Sequence, residues 1–156
     1  MLCGLVLCWT TGQASNCFAQ QIEQAHERQN KETLLHGLRH RAEIYQYQGN
    51  YPLAWLDLAY GELLAPEDVR FKEGLGWLAI FRGRYLQAVT YLQTAEALAP
   101  QNPWVQLNLG WAYYLSGQEK KALRLWAPFL TDKNSKYYRA LQKDKQRLNI
   151  QRLKIF

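Results

Sequence analysis

Cysteine is scarce in this 156-residue chain: Cys3, Cys8 and Cys17 all precede residue 20. A disulfide framework and a zinc site are thereby excluded beyond that point, since neither has ligands at usable spacing. There is no glycine-rich phosphate loop, no Ser or Cys nucleophile with a plausible base, no paired carboxylates and no HExxH spacing. His36, His40 and Glu43 fall within a turn and a half of one helix, but no third ligand is near in sequence. A polar surface stripe is their plainer reading. The chain thus points away from an enzyme and implies neither metal nor cofactor. Its N-terminal apolar run, MLCGLVLCW, is too short to span a bilayer.

An excess of one charge is absent from most of the chain. Residues 1–130 carry 11 Lys/Arg against 11 Asp/Glu, and residues 131–156 carry 8 against 2, which supplies the whole net charge of +6. Basicity is a property of the tail. No aromatic residues interleave that tail so as to stack bases, so no nucleic-acid partner is expected. Membrane contact is expected to be peripheral at most, through the same basic residues.

Apolar residues make up 48% of the chain and aromatics 13%, enough for an ordered core. The opening run is followed by TTGQASNCFA, polar and rich in small residues. That order predicts a signal segment over 1–19, cleaved after Ala14 or Ala19, and an exported, periplasmic or secreted protein. The alternative is a cytoplasmic protein with a buried N-terminal segment. Leu7, standing where a lipoprotein signal wants a small residue, weighs against lipidation of Cys8. Residues 20–34 are polar and helix-prone, and predict a leading helix.

Residues 102–126, NPWVQLNLGWAYYLSGQEKKALRLW, read as two helices and a tight turn. Pro103 suits a first helical turn, where its missing N–H is not needed. Gly117 ends the first helix, and Gly110 and Ala122 are small enough to let the two lie close. Moved back 34 residues, these marks fall on Gly76, Gly83 and Ala88, and moved back again on Ala42, Gly49 and Ala54. A fixed period of this length predicts a repeat array. Three units result, over 35–68, 69–102 and 103–136. A basic capping helix and tail follow over 137–156, with Ser135 as the helix cap. Tyr138, Leu141 and Leu148 would form its apolar side, and Lys136, Arg139, Lys143 and Arg147 its charged faces.

These residues resemble the tetratricopeptide repeat family. The pattern is Leu109-Gly110, Tyr113, Gly117 and Ala122 in the third unit. In the second it is Leu75-Gly76, Gly83, Tyr85, Ala88, Ala95 and Pro100, and in the first Ala42, Tyr45, Gly49, Tyr51, Ala54 and Pro66. Arg41 stands where Leu is expected and Ala79 where Tyr is. Phe129 and the missing closing proline mark the end of the array. The resemblance implies an all-α fold, an α-solenoid of three stacked helical hairpins with a C-terminal capping helix. It also implies a non-enzymatic protein-interaction module, an adaptor or assembly factor.

A second apolar stripe on the third unit's first helix, Trp104, Leu107, Trp111 and Tyr114, accompanies the packing stripe of Val105, Leu109, Ala112 and Tyr113. In the family this second side lines the concave groove. Its counterparts are Arg70, Glu73, Trp77, Ile80 and Phe81 in the second unit, and His36, Arg39, Glu43 and Tyr47 in the first. The expected groove is polar at one end and aromatic at the other, with Trp77 and Trp111 stacked along it. Trp77, Ile80, Phe81, Trp104, Leu107, Asn108, Trp111 and Tyr114 are its candidate partner-binding residues, for an apolar peptide segment of another protein. The alternative is a self-assembling subunit whose groove is filled by its own N-terminal segment or by a second copy, as a homodimer.

Overall fold

The computed structural model describes residues 14–150, and all its regular elements there are helices. They are α1 (Ala14–Tyr47), α2 (Tyr51–Leu64), α3 (Val69–Phe81), α4 (Tyr85–Leu98), α5 (Pro103–Leu115), α6 (Glu119–Leu130) and α7 (Lys136–Arg147). None of the described helices is long and apolar enough to cross a membrane. The predicted signal segment falls mainly on residues 1–13, outside the described residues. The leading helix expected over 20–34 and the first helix of the first unit run on as one element, α1. No proline interrupts that stretch, and Gly37 alone is too weak a breaker to end a helix of this length.

The chain divides into two compact units, residues 1–38 and 39–156. In the first, α1 presents mostly exposed polar side chains, with Leu35 and Leu38 buried. The second holds the end of α1 and all the other helices. There α2 packs on α3, α3 on α4, α4 on α5 and α5 on α6, and α7 closes against α5 and α6.

One turn recurs through the second unit because its chemistry recurs. Gly49, Gly83 and Gly117 take positive φ values of 74°, 69° and 84°, a backbone region open to glycine at little cost. The next residue's N–H then reaches back to a carbonyl of the helix just ended: Asn50 to Tyr45, Arg84 to Ala79, Gln118 to Tyr113, at 2.8–2.9 Å. These bonds satisfy carbonyls that the helix end leaves open. α7 ends the same way, with Asn149 in the left-handed region and the Ile150 N–H on the Lys145 carbonyl. Side-chain oxygens start the helices: Asp68 accepts from the Arg70 N–H, Asn102 from Trp104 and Ser135 from Tyr138.

Small residues at the repeating marks make the packing close. Ala42, Ala54, Ala88, Ala95 and Ala122 are wholly buried. A Cβ on Gly61 would run into the Phe71 ring, one on Gly76 into Leu92, and one on Gly110 into the Trp126 indole. Arg41, the departure from the leucine expected there, is explained by α2. Its guanidinium donates twice to the buried Asp57 carboxylate, at 2.7 and 2.8 Å.

Candidate functional site

The first helix of each hairpin contributes to one cavity of about 400 Å³ in the second unit. Arg39, Glu43 and Gln46 come from α1, Arg70, Glu73 and Trp77 from α3, and Asn108 from α5. Arg39 and Glu73, Glu43 and Trp77, and Gly74 and Asn108 stand 34 residues apart, so the fixed register of the repeat converts into a shared wall. Of the polar end expected from the first unit, Arg39 and Glu43 line this cavity, whereas His36 and the exposed Tyr47 do not. Asp144 and Arg147 complete the cavity from α7. No local signal marked those two, because the way α7 folds back is set by its packing on α5 and α6 and not by its own sequence.

The cavity mixes charges of both signs. Arg70 donates to Asp68 through Nε and Nη2, at 2.7 and 2.6 Å. Burial pushes the Asp68 carboxyl up, but the hydrogen bonds and charge of Arg70 outweigh it, with help from Arg39, and leave it below its ordinary value. Asn108 Nδ2 donates to Glu73 Oε1 at 2.8 Å. Burial nonetheless raises the Glu73 carboxyl, and the Asn108 bond only moderates the shift. Asp144 is raised further, to about 6, by burial against the opposing charges of Arg147 and Lys143. The Arg39 Nε is buried with no hydrogen-bond partner among the described residues. A buried donor left unmade costs more than the bond itself would return, so this atom favours an incoming acceptor.

The aromatic end differs from the expectation. Trp111 is 0% exposed and sits edge-on to Trp126, ring centroids 4.6 Å apart. Leu107 and Ile80 are likewise core residues, at 1% and 2%. None of the three is available as groove surface, and Trp111 does not stack along a groove with Trp77. Trp126 of α6 covers Trp111 and donates to the Leu107 carbonyl, and Ile80 lies in the same core. A last repeat has no successor to cover its apolar side, and α7 adds to that cover with the wholly buried Leu141 and partly buried Tyr137, Ala140 and Leu148. Tyr114 is half-buried between Trp111 and Trp126, and Trp104 keeps an exposed face while its edge meets Tyr137 at 5.2 Å. Trp77 stays partly open and meets Phe81 edge-on at 5.3 Å, and Phe81 stacks on Tyr51. The Arg147 guanidinium lies over both rings, 5.8 and 5.2 Å from their centroids. Arg147, expected on a solvated face, is instead a cation–π strap across the wall of the cavity.

The tetratricopeptide repeat family model matches residues 79–144, from the second hairpin into α7. No curated protein matches the chain significantly. Among solved structures, it is similar to the first tetratricopeptide domain of Spaghetti (RPAP3), bound to the HSP90 peptide SRMEEVD. The TM-score is 0.62 at 18% identity, over 75% of this chain and 94% of that one. It is also similar to the Yersinia enterocolitica type III secretion translocator chaperone SycD, in an alternative dimer. There the TM-score is 0.57 at 19% identity, over 73% and 87% of the two chains. At these identities the likeness is one of fold, a solenoid of stacked helical hairpins.

Proposed function

We propose, for a chain whose stacked hairpins are tetratricopeptide repeats, that it is a non-enzymatic interaction module. It holds a short peptide of another protein in the cavity walled by α1, α3, α5 and α7. The observation that carries this is the buried, unpartnered Nε of Arg39 beside the side chains of Arg70 and Asn108, facing a half-open Trp77. A carboxylate supplies the acceptor that Arg39 lacks, since guanidinium–carboxylate pairs are the strong, directional ones. Trp77 and Leu58 offer the apolar contact. The matching ligand is a peptide with an acidic side chain or terminus next to an apolar residue, a narrower apolar contact than the sequence alone suggested. The peptide held by the similar Spaghetti domain has that character, which supports the reading.

The test is titration of the chain with SRMEEVD and with a copy in which glutamine and an amidated end replace the acids. The acidic peptide is expected to bind tighter, and Arg39→Ala to weaken it about tenfold, the loss of one charged hydrogen bond. Equal binding of the two peptides, or indifference to Arg39→Ala, would overturn the reading. Export remains part of this proposal on the strength of the opening apolar run. N-terminal sequencing of the native protein tests it, with a retained Met1 as the contrary result.

A further inference from the structure

The outer face of α2 differs in chemistry from the same face of the later hairpins. The buried residues of α2, Ala54, Asp57, Leu58 and Gly61, mark its inner side. Opposite them Leu53, Leu56, Tyr60 and Leu63 follow steps of three, four and three, which makes one stripe. They are 38%, 54%, 48% and 76% exposed. One repeat later the same positions on α4 are Gln87, Thr90, Thr94 and Ala97, and two repeats later they are Lys121, Arg124, Pro128 and Thr131. All eight of those residues are exposed as well. The hairpin fold therefore puts these positions in water in every repeat and accepts polar residues there. Only α2 fills them with leucine and tyrosine, so packing within the hairpin does not account for the stripe.

Its charge pattern narrows the occupant. The two charged residues of α2 lie off the stripe and are already engaged, Asp57 with Arg41 and Glu62 with Lys72 at 2.7 Å. With no Lys or Arg on it, the stripe offers nothing to an anionic lipid surface. A face free of charge can meet its own copy without bringing like charges together, which a twofold contact otherwise risks. Its pattern is also self-matching. In an antiparallel pair with the axis at the stripe's centre, Leu53 meets Leu63 and Leu56 meets Tyr60 of the other copy. The four side chains offer about 450 Å² per copy, or about 900 Å² in total, the size of a weak, reversible contact.

We infer that α2 is a self-association surface, on which a second copy of this chain docks antiparallel through Leu53, Leu56, Tyr60 and Leu63. The inference does not rest on the peptide reading, because the stripe and the cavity lie on opposite sides of α2. An interface of this size gives a concentration-dependent dimer.

The test is sedimentation equilibrium of the full chain from ~1 to ~200 µM, where micromolar affinities show. The mass is expected to rise from 18.3 kDa toward twice that. Leu53→Gln, Leu56→Thr, Tyr60→Thr and Leu63→Ala together copy α4 onto α2. They should weaken association at least 100-fold while leaving the circular dichroism spectrum unchanged. Leu63→Glu, at the most exposed position, serves as a single-site check and should weaken it about tenfold. A wild-type chain that stays monomeric at the top concentration overturns the inference. So does a dimer whose affinity Leu63→Glu leaves unchanged, or one dissolved by excess SRMEEVD, which would place the contact in the cavity. Wild-type binding to neutral phosphatidylcholine vesicles that Leu63→Glu abolishes would also overturn it, in favour of lipid.

Discussion

Gly110 and alanine differ by one methyl group, and the structure has no room for it. The space is taken by the Trp126 indole, wholly buried and pinned by its Nε1–H donating to the Leu107 carbonyl at 3.1 Å. Gly61 faces the equally buried Phe71 ring, whereas Gly76 faces the buried Leu92, an aliphatic side chain that yields more readily than a ring. Rigid neighbours make overpacking expensive. Gly110→Ala and Gly61→Ala are each expected to cost about 2–3 kcal/mol, and Gly76→Ala about 1 kcal/mol or less. Urea denaturation measures all three, and equal costs would show that ring rigidity does not set the penalty. These glycines were legible in the sequence because they recur in register with small partners. Trp111 was not. A helical stripe reveals that a side chain is apolar and which way it faces, but not what arrives to cover it. The cover here comes from Trp126 of α6 and from α7, both brought over α5 by tertiary packing.

The cap of α7 was readable from Ser135, because capping is local chemistry. The strap made by Arg147 was not, because the rings beneath it stand about 66–70 positions earlier in the chain. α7 also carries the most perturbed acid of the cavity. The Asp144 side chain is 16% exposed, and its carboxyl titrates near 6 in the folded chain, above its unfolded value. A raised acid favours the folded state while protonated, so this contribution is present at low pH and lost as pH climbs from about 4 through about 6. Glu73 shifts in the same direction and adds to the trend. Asp144→Asn stays neutral throughout. The variant is expected to gain about 1–2 kcal/mol on the wild type between pH 4 and pH 7, after allowance for Arg147 and solvent screening. Parallel stability curves for the two chains in that window would remove Asp144 from the account.

Along the described chain, the helices of the second unit pack chiefly on their neighbours in order, so the fold is built by succession. That is why the number and order of the hairpins could be read from a 34-residue period alone. The period says nothing of where a helix such as α1 begins before the first repeat, nor of which face of a hairpin is left for a partner. The contrast between Leu56 of α2 and Thr90 of α4 becomes informative only once both positions are seen in water.

The three glycine turns have a further consequence, for the evolution and engineering of length. Each hairpin folds back on the same glycine hinge, and each successor starts from a like cap, with Asp68 N–H on the Ala65 carbonyl and Asn102 N–H on the Ala99 carbonyl, so the parts between repeats are interchangeable. A second copy of residues 69–102 spliced in after Asn102 keeps every joint: Asn102 caps the added helix as Asp68 caps α3, and Pro103 still follows an asparagine. The lengthened chain is expected to fold as one cooperative unit, with its unfolding slope in urea raised by about a fifth, in step with the added surface. An unchanged slope, or a second transition, would mean that the insert is carried as a loop. If the slope rises, growth of such a chain is a matter of copying a cassette, and the reach of its cavity wall is set by how many copies are kept.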